Sequence, residues 1–352
     1  MRTFNAVMRV LVSLIAALLA VPAAVIGRYG ARWACSYIYG RDIHIDVPLS
    51  NMAVQAFRQG NLVGQRLFPV VPVGKQSDKY YVIQKADWMR LPDTDERAPK
   101  NTPRRIEFSV SSDSYFAKNY ALAAEAAFED LANQDNAIRL RERNIQLVTS
   151  RLALGMEKRI ASKVTSITNC GSGIALTGTA KWSNYTNSNP LADVTTGHAF
   201  MRSNTGIRPN VAIIDFDTLQ ILKRHPVLLD MYKYTDGGMV TMDQIKASFE
   251  VSEIIVAEAI YNNAKEGAAA TMTNIWGNVC LLAYVDTAAA GPETATYGLG
   301  YRWTDPLLGQ PMAARVYDDP DPGKRVEIQE ASYYQDEKIV AQQLSYLVKD
   351  TL

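Results

Sequence analysis

Cysteine and histidine are both scarce in this chain of 352 residues. Its three cysteines (Cys35, Cys170, Cys280) stand far apart, with no Cys-x-x-Cys pair. That spacing excludes a disulfide framework and a metal finger, and it reads as a reducing compartment. The three histidines (His44, His198, His225) never fall at helical spacing from one another, so a zinc-type site has no support. No phosphate-binding Gly-rich loop and no Gly-x-Ser-x-Gly elbow occur. Nor is there an excess of one charge. The net of +1 does not steer the chain toward nucleic acid or an anionic membrane. Internal repeats and low-complexity tracts are absent too.

Long apolar runs are missing except for one. Val10–Gly27, "VLVSLIAALLAVPAAVIG", carries no charge and is flanked by Arg2, Arg9 and Arg28. A spanning helix needs about 20 apolar residues, and this one contains Pro22. A signal peptide is the second reading, since "VPAA" offers small residues for cleavage. The third is a mis-started or trimmed extension, with residues 1–41 absent from the mature protein. Every other apolar run, such as "VAIIDF" or "VCLLAYV", is short enough for a buried strand.

From Asp42 to Pro72 the residues read as an extended arm, because Pro69, Pro72 and the glycines Gly60, Gly64 and Gly74 break both regular periods. "KYYVIQ" and "RRIEFSVSS" follow as strands. In the second, Ile106, Phe108 and Val110 alternate with polar residues. Between them lies a charged tip stiffened by Pro92, Pro99 and Pro103. An isolated hairpin is marginal in water, and a long loop needs a function. Something outside this hairpin should therefore hold it.

"AAEAAFEDLANQ" reads as a short helix. Asp135 then caps a helix running to Val164, about 30 residues and roughly 45 Å long. Ile138, Ile145, Val148, Leu152, Met156, Ile160 and Val164 form its apolar stripe. Its other faces carry Arg139, Arg141, Arg143, Arg151, Lys158, Arg159 and Lys163 against Glu142 and Glu157. Those bases form either a solvated face or a surface toward a polyanion. "NCGSGIALTG" reads as loop. From Thr195 to Thr287 strand and helix patterns alternate, as in an α/β unit. The tail is strand-like and contains an antiparallel pair.

Nothing in the chain resembles an active site, so neither enzyme activity nor a cofactor or metal is expected. His225 reads as a helix cap. The acidic runs Asp93–Glu96 and Asp318–Pro322 sit among prolines in turns. "NYT" at Asn184 matters only in a secreted chain.

The order of these pieces is more telling than any one of them. "IDVPLSNMAVQAF", "GQRLFPVVPVGKQSDKYYVIQKADWMR", "RAPKNTPRRIEFSVSSDSYFAKNYAL", "GTAKWSNYTNSNPLADV", "RHPVLLDMYKYTDGG", "VSEIIVAEAIYN", "IWGNVCLLAYV" and "YYQDEKIVAQQLSYLVKD" follow one another from about Ile43 to the end. In this order the chain resembles the major capsid proteins of tailed bacteriophages, whose Hong Kong 97-type α+β fold is shared with encapsulin shells.

The resemblance implies an N-arm (42–69), an extended E-loop (70–118) and a peripheral domain (119–194) with the spine helix 135–164. It further implies an axial domain (195–287) and return strands (288–352). Arm and loop would order on neighbouring subunits, since fixing each residue costs about 1–2 kcal/mol of backbone entropy and apolar burial returns about 25 cal/mol per Å². The expected subunit-interface residues are Phe68, Tyr80, Tyr81, Val82, Trp88, Ile106, Phe108 and Val110. Rim charges Asp95, Glu96, Arg97, Arg104 and Arg105 would set register. Arg139, Arg143 and Lys158 would face the lumen and screen DNA phosphates without reading sequence.

The expected function is a coat protein whose pentamers and hexamers close an icosahedral head around double-stranded DNA. That head would assemble in the host cytoplasm with portal, scaffold and decoration proteins as further partners. No membrane is involved in this reading. The first forty residues depart from the family's long polar scaffolding segment. Two alternatives stay open: an encapsulin-like shell around protein cargo, and a membrane-anchored periplasmic binding protein.

Overall fold

The computed structural model describes residues 44–45, 62–83, 89–91, 96–97, 99–103, 105–106, 110–133, 137–233, 239–287, 295–304, 312–321 and 323–352. The extension 1–41 lies outside them.

The elements run in chain order: β1 (His44–Ile45), α1 (Gly64–Leu67), β2 (Val70–Val73), β3 (Ser77–Ile83), β4 (Val110–Phe116), β5 (Lys118–Ala127), α2 (Phe128–Asn133), α3 (Ala137–Val164) and β6 (Ser172–Ala175). Then come α4 (Pro190–Thr205), β7 (Val211–Asp215), α5 (Phe216–Leu222), α6 (Pro226–Tyr232), α7 (Met242–Ser248), β8 (Glu253–Ala257), β9 (Ile260–Asn262), β10 (Met272–Asn274) and β11 (Val279–Ala283). The last four strands are β12 (Gly298–Trp303), β13 (Ala313–Asp318), β14 (Val326–Ile339) and β15 (Ser345–Lys349).

Two sheets organise the body. In the first, β14 is the axis: β13 pairs with its first half, β12 with its second, and β5 runs antiparallel along it. β1 extends the sheet beyond β13, and β2 extends it beyond β12. The second sheet has the order β6-β15-β11-β7-β8. Its central strands, "VAIID" and "VCLLA", are buried throughout, as continuous apolar runs require when both faces are covered. Val211, Ile213 and Leu281 face one core with Ile145, Leu152, Met156 and Ile160 of α3. Ala212, Ile214, Cys280 and Leu282 face another with Val194 of α4, Leu219 of α5 and Ile245 of α7.

Local chemistry explains the helix limits. Asn189 caps α4 through Ala192 N, Pro190 starts it, and Gly206 ends it at a left-handed φ of 69°. Thr241 and Gln244 close α7 with a capping box. His225 caps α6, as expected, by accepting from Val227 N.

Several expectations need correction. Ala123–Ala127 belongs to β5, because its register against Val326–Glu330 outweighs alanine's helix preference. Ile106 is not in a strand and β4 is described from Val110, while residues 107–109 of the expected alternation lie outside the described residues. The "CGSG" stretch is not all loop: Ser172–Ala175 pairs parallel with β15, and the glycines serve packing. A side chain at Gly171 would meet Gln343 Cα at 2.6 Å, and one at Gly173 would meet the Leu347 carbonyl at 2.6 Å. β15, at the end of the return strands, pairs with β11 and β6 rather than with β12–β14. Its "SYLV" is buried, which only a sheet covered on both faces can offer.

Candidate assembly interface

β3 and β4 form a two-stranded ribbon, paired from Ser77↔Phe116 at its root to Ile83↔Val110. Seven pairs span roughly 20 Å. Tyr80 sits across from Asp113 and Tyr115 two residues further on, so both rings share one face. They close on Tyr301 of β12. Tyr115 stacks on it with centroids 4.7 Å apart, and Tyr80 lies tilted at 5.5 Å. Val71 and Leu299 complete the cluster.

Polar contacts fasten the same root. Tyr80 Oη donates to Asp113 Oδ2 at 2.8 Å. Tyr115 Oη donates to the Lys75 carbonyl, and Phe116 N donates to Asp336 Oδ2 at 3.1 Å. Burial and the neighbouring Asp113 push the Tyr80 phenol up. Burial alone would raise Asp113, but bonds from Tyr80 and Ser114, with Lys338 nearby, hold its carboxyl below the usual range.

The ribbon is therefore not wholly dependent on neighbours. Tyr80 is buried against its own chain. Phe68 is also fully buried, edge-on to Tyr297 at 6.0 Å and pressed against Gly298. Both are expected from the sequence at a subunit interface, and both are buried within their own chain instead. Their apolar area has in-chain partners because β2 runs parallel to β12 beside them.

The far end differs. Leu91 is 87% exposed, Ile106 71% and Met89 55%. Met89 lies beside Gly206 at the end of α4. Glu96, Arg97 and Arg105 are exposed, with Arg97 donating to the Asn101 carbonyl. Tyr81 and Val82 pair with Ser112 and Ser111, and Val110 closes the ladder. Trp88, Asp95, Arg104 and Phe108 lie outside the described residues.

The spine helix sorts its bases by face. Arg141 makes a two-pronged contact with Glu327, and Asn144 bonds Gln329 at 2.8 Å. Arg159 donates to Tyr333 Oη at 2.8 Å and Glu337 Oε1 at 3.0 Å, with its guanidinium 3.6 Å from the Tyr120 ring centroid. Lys163 lies 3.6 Å from Glu337 Oε2. These three bases are tied to the sheet, not a solvated or polyanion-facing surface. The alternation of β14 turns Glu327, Gln329, Tyr333, Gln335 and Glu337 inward to meet them. Arg143, Arg151 and Lys158 remain exposed, Lys158 with its ammonium 3.9 Å over the Tyr261 ring. Arg139 lies in the first turn of α3.

Sequence reading missed the Tyr301 anchor and the inward-facing carboxylates. The one available signal was the run of polar residues in the strand-like "EIQEASYYQDE". His225, fully buried, bonds Ser188 Oγ at 2.9 Å and has a packing role. Asp319–Asp321 forms a turn closed on Gly323, and Asn184 caps its own turn. Among the described residues, no helix is long and apolar enough to cross a membrane.

No family model matches the sequence. The chain is 29% identical over 269 residues to the major capsid protein of Pseudomonas phage JBD67, covering 75% of this chain and 85% of that one. It is 28% identical over 277 residues to the major capsid protein of Burkholderia phage BcepMu, covering 78% and 87%. Among solved structures, a phage-related protein from Bordetella bronchiseptica RB50 superposes with a TM-score of 0.69 at 28% identity, covering 88% of this chain and 98% of that one. The mature capsid of bacteriophage PhiM1 (81% and 86% covered) and a virus-like particle from Pyrococcus furiosus (86% and 98%) each give 0.51, at 11% and 13% identity, and speak to fold alone.

A body of two sheets bridged by a long helix, with a ribbon extending from it, is the Hong Kong 97-type α+β fold of self-assembling shells. Within that class the chain's likeness to the two curated coat proteins supports a capsid shell protein, a structural component of a phage virion.

Proposed function

We propose that this chain tiles an icosahedral head around double-stranded DNA, as pentamers and hexamers assembled in the host cytoplasm. Portal, scaffold and decoration proteins would be further partners. The ribbon is the E-loop, rooted in its own subunit and seated on the next. The observation that carries this reading is the contrast along the ribbon between a root buried on Tyr301 and a far end with Leu91 87% exposed. Such apolar area needs a partner surface. A second copy supplies one when the contact is heterologous and closes into a ring. Arg139, Arg143 and Lys158 would face the lumen, where phosphate contacts position without specifying sequence.

Deleting Met89–Arg104 tests the ribbon. The chain should keep its circular dichroism and yield no particles by electron microscopy; normal shells would refute the assignment. Nuclease-protected DNA in particles from the unaltered chain is the expected content. Particles holding protein cargo and no DNA would replace the head by an encapsulin-like compartment.

A further inference from the structure

Glu157 lies in the middle of α3 and is fully buried. Among the described residues it has no ion pair. Its carboxylate instead takes three neutral donors from two distant segments. Oε1 accepts from Val63 N at 3.0 Å and from Trp276 Nε1 at 2.6 Å, and Oε2 accepts from Gly64 N at 2.7 Å. Burial pushes this carboxyl up while the bonds from Gly64, Trp276 and Val63 pull it down.

The segment holding Val63 and Gly64 has no other room. A side chain at Gly64 would meet Glu157 Oε2 at 2.7 Å and Ile160 Cδ1 at 2.8 Å. Gly64 is thus required by close approach, and the backbone N–H groups opening the single turn of α1 point at the carboxylate. Past that turn the chain is already fixed, with Phe68 buried and β2 hydrogen-bonded to β12. On its N-terminal side Val63 is buried with Leu62 against the same core, and the Glu157 carboxylate is the polar contact that fixes the backbone there. Trp276, in the loop joining β10 to β11, is buried on the same carboxylate. The adjacent Lys158 covers Tyr261 of β9. Residues 157 and 158 of one helix therefore grip the arm root and the β9–β10 hairpin together.

We infer that Glu157 is the positioning residue that sets where the N-terminal segment leaves the body, by pinning Val63, Gly64 and the Trp276 loop to one point of the spine helix. A carboxylate suits this task. Two oxygens accept three N–H groups, whereas an amide must turn its own N–H₂ toward at least one of them. The consequence for assembly rests on the capsid reading: an arm leaving in a fixed direction reaches one place on a neighbour, and a loosened root reaches many.

Hydrogen exchange on the unassembled full chain, read by mass spectrometry, tests the pinning. E157Q should lower protection of the 62–68 peptide at least about tenfold while β7 and β11 keep theirs. W276F, which removes the indole donor along with part of the ring system but leaves the Val63 and Gly64 bonds in place, should leave 62–68 protected. Equal protection of that peptide in E157Q and the unaltered chain would overturn the inference. So would an equal loss across β7 and β11, which marks a general core residue. If E157Q does not fold, G64A must show the same local loss, and protection of 62–68 in G64A would overturn it. In assembly, E157Q should give irregular particles by electron microscopy; regular ones would remove the arm-directing role. Absence of particles from the unaltered chain bears on the capsid reading instead.

Discussion

Tyr301 joins ribbon to body, and two substitutions there should act in opposite directions. The ring is 1% exposed and touches both Tyr80 and Tyr115, yet its hydroxyl has no hydrogen-bond partner among the described residues. A buried polar group left unmatched costs about 1–3 kcal/mol. Y301F keeps the stacking and removes the orphaned oxygen, so it should stabilise the chain by about 1 kcal/mol. Y301A removes the ring, at about 3–5 kcal/mol for a large buried aromatic, including two ring pairs worth about 0.5–1.5 kcal/mol each. Urea unfolding of the unassembled chain reads the totals. Hydrogen exchange of the 77–83 and 110–116 peptides reads where the loss falls, and in Y301A it should fall first on the ribbon. A Y301F chain less stable by 1 kcal/mol or more would show that the hydroxyl is bonded after all. A Y301A chain with a fully protected ribbon would show that the tyrosine cluster is not its fastening.

Other expectations concern the body. Among the described residues R159M leaves Glu337, whose side chain is 1% exposed, with Lys163 at 3.6 Å as its one ion-pair partner, and should cost about 2–3 kcal/mol, whereas R159M/E337M should come within about 1 kcal/mol of the unaltered chain. A double-mutant cycle in urea checks the coupling. G298A places a methyl 2.5 Å from the Phe68 ring and should lower the urea midpoint by an amount equivalent to about 1–3 kcal/mol. Alkali should unfold the chain. Burial holds the Tyr301 and Tyr333 phenols up at about 12 against about 10 unfolded. The unfolded state therefore loses its protons first, and the stability these groups contribute is intact below pH 10 and lost as pH rises toward 12. Thermal melts stepped through that window measure it.

What the sequence revealed of the fold follows from how each signal is made. The stripe from Ile145 to Val164 is legible because one face of α3 meets an apolar core, and those residues are buried there. "VAIIDF" and "VCLLAYV" are legible because both faces of their sheet are covered. The end of β5 is not. Ala123–Ala127 scores as helix locally and becomes strand only because Val326–Glu330, some two hundred residues later, offers a matching ladder. "CGSG" fails for the same reason. Glycine reads as a loop until the backbone pressing on Gly173 is known.

The surfaces were harder still, because burial in one's own chain and burial on a neighbour leave the same mark in a sequence. Phe68 and Tyr80 are aromatic residues in a proline- and glycine-broken stretch, which fits a segment completed by another copy. Both are completed at home, by Gly298 and Tyr301. The bases of α3 carry the same ambiguity. Arg141 and Arg159 look no different in the sequence from Arg143 and Arg151, but a helix packed on a sheet hides one flank, and β14 puts Glu327 and Glu337 under that flank. Counting charges along the helix gives a basic surface, whereas assigning each base to its face leaves Arg143, Arg151 and Lys158 along the exposed side. Among the described side chains of α3, those three are the bases left for a polyanion contact. Reversing Arg143 and Arg151 to Glu should therefore reduce packaged DNA per particle with little loss of stability, since neither side chain is buried. Unchanged DNA content in intact particles would show that this side of the helix does not face the genome.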